Sequence, residues 1–237
     1  WSTEALKLVQ RCEKADDQTT SLVLSRDGRF LIGGSRDSGI FVWDARSGKL
    51  LRTLQRTSTA GHVSTAGLAV SADGELVASG PGQRAISSGD VGAERRIQVW
   101  ELATGKRRFF LSGHEGNVHA LIFTDDKRWI VSGSQDGTIR FWDRAGGRLT
   151  ATFASTFDGR WTMITDKGFF AAAAGSGDLL SVVRGFNATS IEQMWQSLYA
   201  PDLVRESLAG DPRGEVAAAV ANAELGAILD SGPAPSV

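Results

Sequence analysis

The chain has 237 residues, a formal net charge of −1, 28 glycines, 5 prolines and 7 tryptophans. Its balanced charge gives no basis for binding nucleic acid as a bulk polyelectrolyte, and no apolar run approaches the roughly 20 residues that span a bilayer. Many glycines together with several tryptophans are typical of short strands joined by tight turns. We therefore expect no nucleic-acid partner and no membrane insertion.

The sequence also argues against cofactor chemistry. Its single cysteine, Cys12, excludes an intramolecular disulfide and is typical of a reducing compartment, so we expect a cytoplasmic protein. The sequence contains no phosphate loop, no dinucleotide fingerprint and no HExxH or CxxC metal motif. We therefore expect no cofactor, no metal and no catalytic residues.

The first fifty residues contain a series of short apolar runs. Runs at residues 21–24, 29–34 and 39–43 predict strands, and a run at residues 5–10 predicts an outer strand. Arg-Asp-Gly and Arg-Asp-Ser-Gly segments separate the runs and favour tight turns. The last run ends in Trp43, which an aspartate follows.

The next part of the chain repeats this pattern with an interruption. Strands are predicted at residues 49–54, 65–70, 75–79 and 97–100. A Gly-His pair ending in His62 precedes the second of them, and Trp100 ends the last. Residues 81–95 are rich in glycine, serine and charge. We expect them to form a surface insertion, and a functional loop is the alternative.

The pattern is most complete in residues 106–143. Strands are predicted at residues 106–111, 118–123, 127–134 and 138–142. A Gly-His pair ending in His114 precedes the second strand, and an Asp136-Gly137 turn precedes the last. Trp1, Trp43, Trp100 and Trp142 are spaced by 42, 57 and 42 positions, which indicates a repeat of about 40–45 residues. The insertion at residues 81–95 accounts for the longer spacing.

The repeat fades towards the end of the chain. Strands are predicted at residues 148–153, 160–165, 169–174 and 179–183, without the Gly-His and Trp-Asp pairs. Ser190 is then a candidate helix N-cap, because Ile191, Met194, Trp195 and Leu198 follow at helical spacing. A second helix is predicted to start at Pro201 and stop at Gly210, and a third to occupy residues 215–229.

The segment from Gly113-His114 to SQDGTIRFWD resembles a WD repeat, the four-stranded blade of a β-propeller. The resemblance implies a buried hydrogen-bond chain from Trp142 through Ser132 and His114 to Asp136. It implies incomplete copies of this network at Asp37 and Trp43, and at His62 and Trp100. A catalytic His114–Asp136 pair is the alternative to this structural role.

The resemblance also implies a fold and a surface. We expect an all-β fold, a WD-repeat β-propeller of about four blades in residues 1–186 that is part of a seven-blade or larger propeller. A helical extension in residues 187–230 and a linker at residues 231–237 to a further domain complete the expected organisation. The candidate interaction surface consists of Arg36, Gln135, His119, Thr20, Ala66 and Arg84.

A second resemblance concerns residues 160–237. DGRWTMITDKGFFAAAAGSGDLL, IEQMWQSLYAPDLVRESLAGDP and GPAPSV resemble the end of bacterial WD-repeat proteins that carry a downstream caspase-like peptidase domain. We expect a non-catalytic protein-interaction or sensor module, the regulatory part of such a larger protein, with a protein or peptide partner. The alternative is an enzyme whose active site lies in the propeller channel.

Overall fold

The computed structural model describes residues 11–13, 18–36, 39–54, 63–84, 96–179, 181–184, 187–190 and 198–222. The chain forms two compact units, which are described separately below. The first comprises residues 1–136 and 142–148, and the second comprises residues 137–141 and 149–237. Among the described residues, no helix is long and apolar enough to cross a membrane.

The first unit is built from antiparallel sheets whose strands follow chain order. The first blade contains β1 (Thr19–Leu24), β2 (Phe30–Ser35), β3 (Ile40–Asp44) and β4 (Leu50–Leu54). The second blade contains β5 (Val63–Val70), β6 (Leu76–Arg84), β7 (Ile97–Glu101) and β8 (Arg107–Leu111). The third blade begins with the paired strands β9 (Val118–Phe123) and β10 (Trp129–Ser134), and its next strand is β11 (Thr138–Asp143).

Strands β4 and β8 lie in the blade that ends with the preceding tryptophan, so the prediction that residues 49–54 and 106–111 open the next blade is wrong. The reason is the short turn between β3 and β4. The backbone N–H of Asp44 donates to the oxygen of Lys49 at 3.0 Å, and the N–H of Gly48 donates to Asp44 at 2.8 Å. A turn this tight pairs the two strands that it joins.

Residues 81–84 extend β6 and do not belong to an insertion, which corrects the expected start of that segment. Thr65 pairs with Pro81 and Val63 with Arg84. The pairing of β6 with β7 covers only Leu76 to Ser79. Proline has no N–H to donate to a ladder, so Pro81 is tolerated there because it lies beyond the residues that pair with β7. The remaining residues of the predicted insertion, 85–95, lie outside the described residues.

An apolar core joins the first two blades. Ile32, Ile40, Val42 and Leu54 of the first blade form one buried cluster with Val77, Trp100 and Leu102 of the second. Leu68 and Val70 on β5 pack against it. Alternation along the strands places these side chains on one face of each sheet, so the blades stack through apolar surface.

The second unit combines strands with two helices. The strand order is β11, β12 (Leu149–Ser155), β13 (Trp161–Thr165), β14 (Phe170–Ala172). A 3₁₀ turn at Gly177–Leu179 leads to a separate two-stranded sheet of β15 (Ser181–Arg184) and β16 (Asn187–Ser190). The helices are α1 (Pro201–Ala209) and α2 (Glu215–Asn222).

The predicted fourth blade does not form a sheet of its own. A tight turn joins β11 to β12, in which the N–H of Asp143 donates to the oxygen of Arg148 at 2.8 Å, so β12 lies beside β11 in one sheet. β13 pairs with β12 as predicted. Residues 179–183 were predicted to close that blade, but β15 pairs with β16 instead. Ser190 ends β16, and the helix predicted at Ile191 to Trp195 lies outside the described residues.

Helix α1 begins and ends where the sequence indicates, and α2 begins where it indicates, at Glu215; the predicted end of α2 at residue 229 lies outside the described residues. Pro201 occupies the first turn of α1, where its missing N–H costs nothing, and Gly210 ends the helix with a φ of 86°. Phe169 and Ala171 form a buried cluster with Val204 of α1 and Val216 of α2. This second core attaches both helices to the strands of their unit.

Candidate functional site

Four polar side chains of the third blade form one hydrogen-bonded chain. His114, in the loop before β9, places Nδ1 2.8 Å from Oδ2 of Asp136 and Nε2 2.7 Å from Oγ of Ser132. The indole Nε1 of Trp142 donates to the same Ser132 Oγ at 2.8 Å. The structure therefore brings together the four residues that the WD-repeat resemblance names for this blade.

The direction of each hydrogen bond follows from the tryptophan. An indole N–H can only donate, so Ser132 Oγ accepts from it and gives its own proton to Nε2 of His114. Nδ1–H of His114 then donates to Asp136, whose Oδ2 also accepts from the backbone N–H of Glu115 at 3.0 Å. A neutral imidazole in this tautomer satisfies every member, and such a network rigidifies the blade.

Ser132, His114 and Asp136 also have the residue types of a hydrolytic triad and follow one another in the same hydrogen-bond order. Burial argues against that role, because Ser132 is 0% and Trp142 1% exposed, and the imidazole side chain is fully buried. The serine oxygen faces the indole N–H, so a substrate carbonyl cannot approach it. The geometry supports the structural role of the network.

In the first blade a different group accepts the hydrogen bond of the buried indole. Gly33 occupies the register position of Ser132, since Leu22 pairs with Gly33 as Leu121 pairs with Ser132. No hydroxyl is available there, and Nε1 of Trp43 donates to the backbone oxygen of Glu13 at 2.8 Å. A Cβ on Gly33 would lie 2.7 Å from the Trp43 ring, so the indole has moved into the space of the missing side chain.

Sequence reasoning missed Glu13, because any residue supplies a backbone carbonyl. The glycine at position 33 was the available signal, since it shows that Trp43 needs another acceptor. Asp37, the other residue predicted for this blade's network, lies outside the described residues.

The second blade retains part of the network. Ser79 has the register position of Ser132, is 0% exposed, and pairs across the sheet with Leu68. Trp100 is 2% exposed, as expected for a network tryptophan. His62 and its suggested partner Asp90 lie outside the described residues.

Polar side chains recur at one end of the strands. The N–H of Gln135 donates to the oxygen of Asn117 at 2.8 Å, and Nδ2 of Asn117 donates to Oε1 of Gln135 at 3.1 Å. In the first blade the N–H of Arg36 donates to the oxygen of Gln18 at 2.9 Å. Both Arg36 and Gln135 are exposed.

Thr20 and His119 lie at irregular positions of β1 and β9, next to that end, where each pairing register shifts. His119 is exposed, whereas Oγ1 of Thr20 lies 2.6 Å from the oxygen of Thr65 and ties the first blade to the second. Ala66 is half-buried. The exposed side chains of Arg36, Gln135, Thr20 and His119 are called the strand-end surface below.

Arg84, the last member of the predicted surface, ends β6, and the structure does not describe its side chain.

An ionic cluster between the second and third blades was not predicted. Nη2 of Arg144 lies 2.6 Å from Oδ2 of Asp73 and 3.3 Å from Glu75, and Nζ of Lys127 lies 3.2 Å from the same Asp73 oxygen. Burial raises the pKa of Asp73, but hydrogen bonds from Ser71, the Glu75 N–H, Arg144 and Lys127 outweigh it and hold that pKa well below its usual range. Asp73 therefore stays ionised and links the two blades.

Asp73 belongs to a turn that recurs in each blade. A hydroxyl donates to the aspartate two residues later at Ser25–Asp27, Ser71–Asp73 and Thr124–Asp126. The residue after each aspartate has a positive φ, and it is Gly28, Gly74 or Lys127, at 69°, 71° and 61°. Lys127 thus adopts a conformation that glycine adopts in the other two turns.

No group of three or more His, Cys, Asp or Glu side chains in the described part of the chain is arranged to hold a metal ion.

The comparisons with known proteins agree with this geometry. Residues 7–44 and 105–143 match the WD40 family model, "WD domain, G-beta repeat". Transducin beta-like protein 2 of Homo sapiens is 30% identical over 51% of this chain and 25% of its own length. Anaphase-promoting complex subunit cdc20 of Dictyostelium discoideum is 30% identical over 60% of this chain and 25% of its own.

The solved structure of the RRP9 WD40 repeats matches with a TM-score of 0.51 and 19% identity, over 71% of this chain and 54% of that one. The matched part of the chain thus spans about a quarter of the two curated relatives. The chain carries WD40 repeats, and its fold is that of part of a WD40 β-propeller.

Proposed function

We propose that this chain is a non-catalytic protein-interaction module that binds a protein or peptide segment at the strand-end surface. WD40 repeat proteins generally act as protein-interaction scaffolds. One relative is by name a subunit of a larger complex, the anaphase-promoting complex. A scaffold role in an assembly is therefore the function that the fold favours.

One observation carries the proposal: the exposed residue Gln135 lies directly beside the buried network. Gln135 precedes Asp136, the carboxylate at the end of the hydrogen-bond chain. A Cβ on Gly116 would lie 2.8 Å from the N of Asp136, so the two loops are in close contact. Because the backbone of Gln135 is held in place by these contacts, less conformational entropy is lost when a partner binds there.

Site-specific photo-crosslinking in the source cells tests this proposal. A benzophenone amino acid at Gln135 is expected to capture one main protein. The matched control places the same group at Asp125, which is also exposed and lies in the β9–β10 turn at the opposite end of those strands. Equal amounts of crosslinked product from the two positions, or no crosslinked product from position 135, would contradict the proposal.

We further infer a cytoplasmic location and a larger polypeptide in which a caspase-like peptidase follows these blades. The support is the single cysteine and the resemblance of residues 160–237 to bacterial proteins of that architecture. Sequencing the reading frame beyond Val237 is the test. A following domain with a Cys-His pair would support the proposal, and an unrelated domain would contradict it.

A further inference from the structure

An open groove lies between the strands and the first helix of the second unit. Its volume is about 460 Å³, within the range of about 300–1,000 Å³ that is typical of binding pockets. The described residues that line it are apolar except for one arginine. Its main members are Phe153, Trp161 and Met163 on β12 and β13, and Val204, Arg205 and Leu208 on α1.

The strand side of the groove is one face of the sheet. Phe153 pairs with Met163 and Ser155 with Trp161, so these four side chains lie on the same face. The rings of Phe153 and Trp161 stack with their centroids 6.2 Å apart. Each ring limits the motion of the other, so this aromatic wall is formed before a partner binds.

Helix α1 covers this face only in part. Val204 packs with Ala171 in the second core and is 4% exposed, and Met163 packs against the same core. Trp161, by contrast, is 37% exposed. The groove thus runs from a buried apolar floor to an exposed tryptophan, a residue type that often supplies much of the binding energy at protein interfaces.

Arg205 carries the charge of the groove. Its Nη1 donates to Oδ1 of Asp202 at 2.9 Å, and the two side chains are 80% and 84% exposed. An ion pair as exposed as this one contributes little to stability, so the guanidinium can exchange Asp202 for a carboxylate of a partner. Apolar walls beside a single positive charge complement an apolar side chain that has an acidic neighbour.

We propose that this groove binds a peptide segment of a partner protein. An apolar side chain of the segment packs against Phe153, Trp161 and Met163, and an aspartate or glutamate within about one helical turn of it pairs with Arg205. An open groove would leave much of a small molecule in water, whereas a peptide continues over the rim and covers Trp161. The groove shares no residue with the strand-end surface, so the two proposals fail independently.

Selection of a phage-displayed library of random peptides on the 237-residue chain tests the proposal. Counter-selection on the Trp161→Ser variant removes peptides that bind elsewhere. The enriched peptides are expected to share a large apolar residue with an aspartate or glutamate within about one helical turn. Enriched peptides that lack a carboxylate, or no enrichment at all, would overturn the proposal.

The Kd of one enriched peptide then tests the ion pair. Arg205→Gln should raise Kd by about tenfold or more, with no change in melting temperature because the side chain is exposed. Arg46→Gln removes the same charge from an exposed position in the first blade and should leave Kd unchanged. Gln135→Ala combined with His119→Ala should also leave it unchanged, which separates this site from the strand-end surface. Equal Kd values for Arg205→Gln and the unmodified chain would overturn the proposal.

Charge reversal adds a gain of binding that a folding defect cannot produce. A peptide whose acidic residue is replaced by lysine should bind Arg205→Glu about tenfold or more tightly than it binds the unmodified chain. No such gain would contradict the proposed pairing. Self-association of the chain that Trp161→Ser abolishes would assign the groove to a second copy and overturn the proposal. Enrichment that requires Ile228→Ser and Leu229→Ser would assign it to the end of this chain and overturn it too.

Discussion

Trp43 and Glu13 are joined by a hydrogen bond of 2.8 Å from the indole Nε1 to a backbone oxygen. The equivalent tryptophan of the third blade, Trp142, donates to the hydroxyl of Ser132 at the same distance. Two blades that share the Trp-Asp pair thus satisfy the buried indole in different ways. In the third blade the second strand supplies the hydroxyl that accepts from the indole, and in the first blade a backbone oxygen takes that role.

Removing that hydroxyl should destabilise the third blade. Ser132→Ala leaves the Trp142 N–H and Nε2 of His114 without their buried partner, so we expect a loss of about 1–3 kcal/mol in the free energy of unfolding. His114→Ala should cost a similar amount. Urea denaturation measures both changes, and an unchanged midpoint would contradict the network.

The control for this experiment is a double-mutant cycle. Ser132→Ala and Trp142→Phe remove the same hydrogen bond, so their effects should not add. Ser132→Ala and Trp43→Phe act in different blades and should add. Additive effects for the first pair would mean that the bond contributes nothing.

The glycines between blades should not tolerate alanine. A Cβ at Gly34 would lie 2.5 Å from Cγ2 of Thr65, and one at Gly80 would lie 2.7 Å from Cβ of Val118, in each case in the next blade. Each alanine variant should therefore lose about 1–3 kcal/mol in the free energy of unfolding. Gly133→Ala is the matched control, because its Cβ would meet only the Cβ of Ala120 at 3.5 Å. Thermal unfolding compares the three variants, and equal melting temperatures would contradict this close packing between blades.

Stability should fall at low pH through Asp73. Its pKa is depressed in the folded chain, so its contribution is complete above the unfolded value of about 4 and is lost as the pH falls further. Asp73→Asn should lower the melting temperature at pH 7, and the difference from the unmodified protein should shrink below pH 4. Asp125→Asn, in an exposed ion pair with Arg26, should have little effect at either pH. A constant Asp73→Asn difference across this range would rule out the ionic link.

Lys127 should behave as a strained residue. Its φ of 61° disfavours any side chain, so Lys127→Gly should be more stable than Lys127→Ala by about 1 kcal/mol. Both variants lose the Asp73 ion pair, and the comparison therefore isolates the backbone. At Lys106, which lacks a positive φ, glycine should be no better than alanine. A gain from glycine at both positions would point to another cause.

The sequence predicts strand positions well where tight turns bound them. β9 occupies residues 118–123 as expected, and β11 extends its predicted range by one residue, to Asp143. The sequence predicts less well which sheet each strand joins, because that depends on the length of the loop before the strand. The short turns before β4, β8 and β12 keep those strands beside their predecessors, and a repeat aligned on the Gly-His pair assigns them to the next blade.

In the candidate site, too, local features could be predicted from the sequence and contacts between blades could not. Ser132, His114, Asp136 and Trp142 are recognisable because each residue type has a fixed place in the repeat. Asp73 and Arg144 are 71 positions apart and meet only when two blades pack, so no local pattern indicates their contact.

The affinity of the chain for the partner captured at Gln135 tests the central claim most directly. The account predicts that Gln135→Ala combined with His119→Ala raises Kd by about tenfold or more with no change in melting temperature, as for loss of a binding hot spot. Arg26→Ala combined with Asp125→Ala, at the opposite strand ends, should leave Kd unchanged. An unchanged Kd for the first variant, or an equal loss in the second, would contradict binding at the strand-end surface.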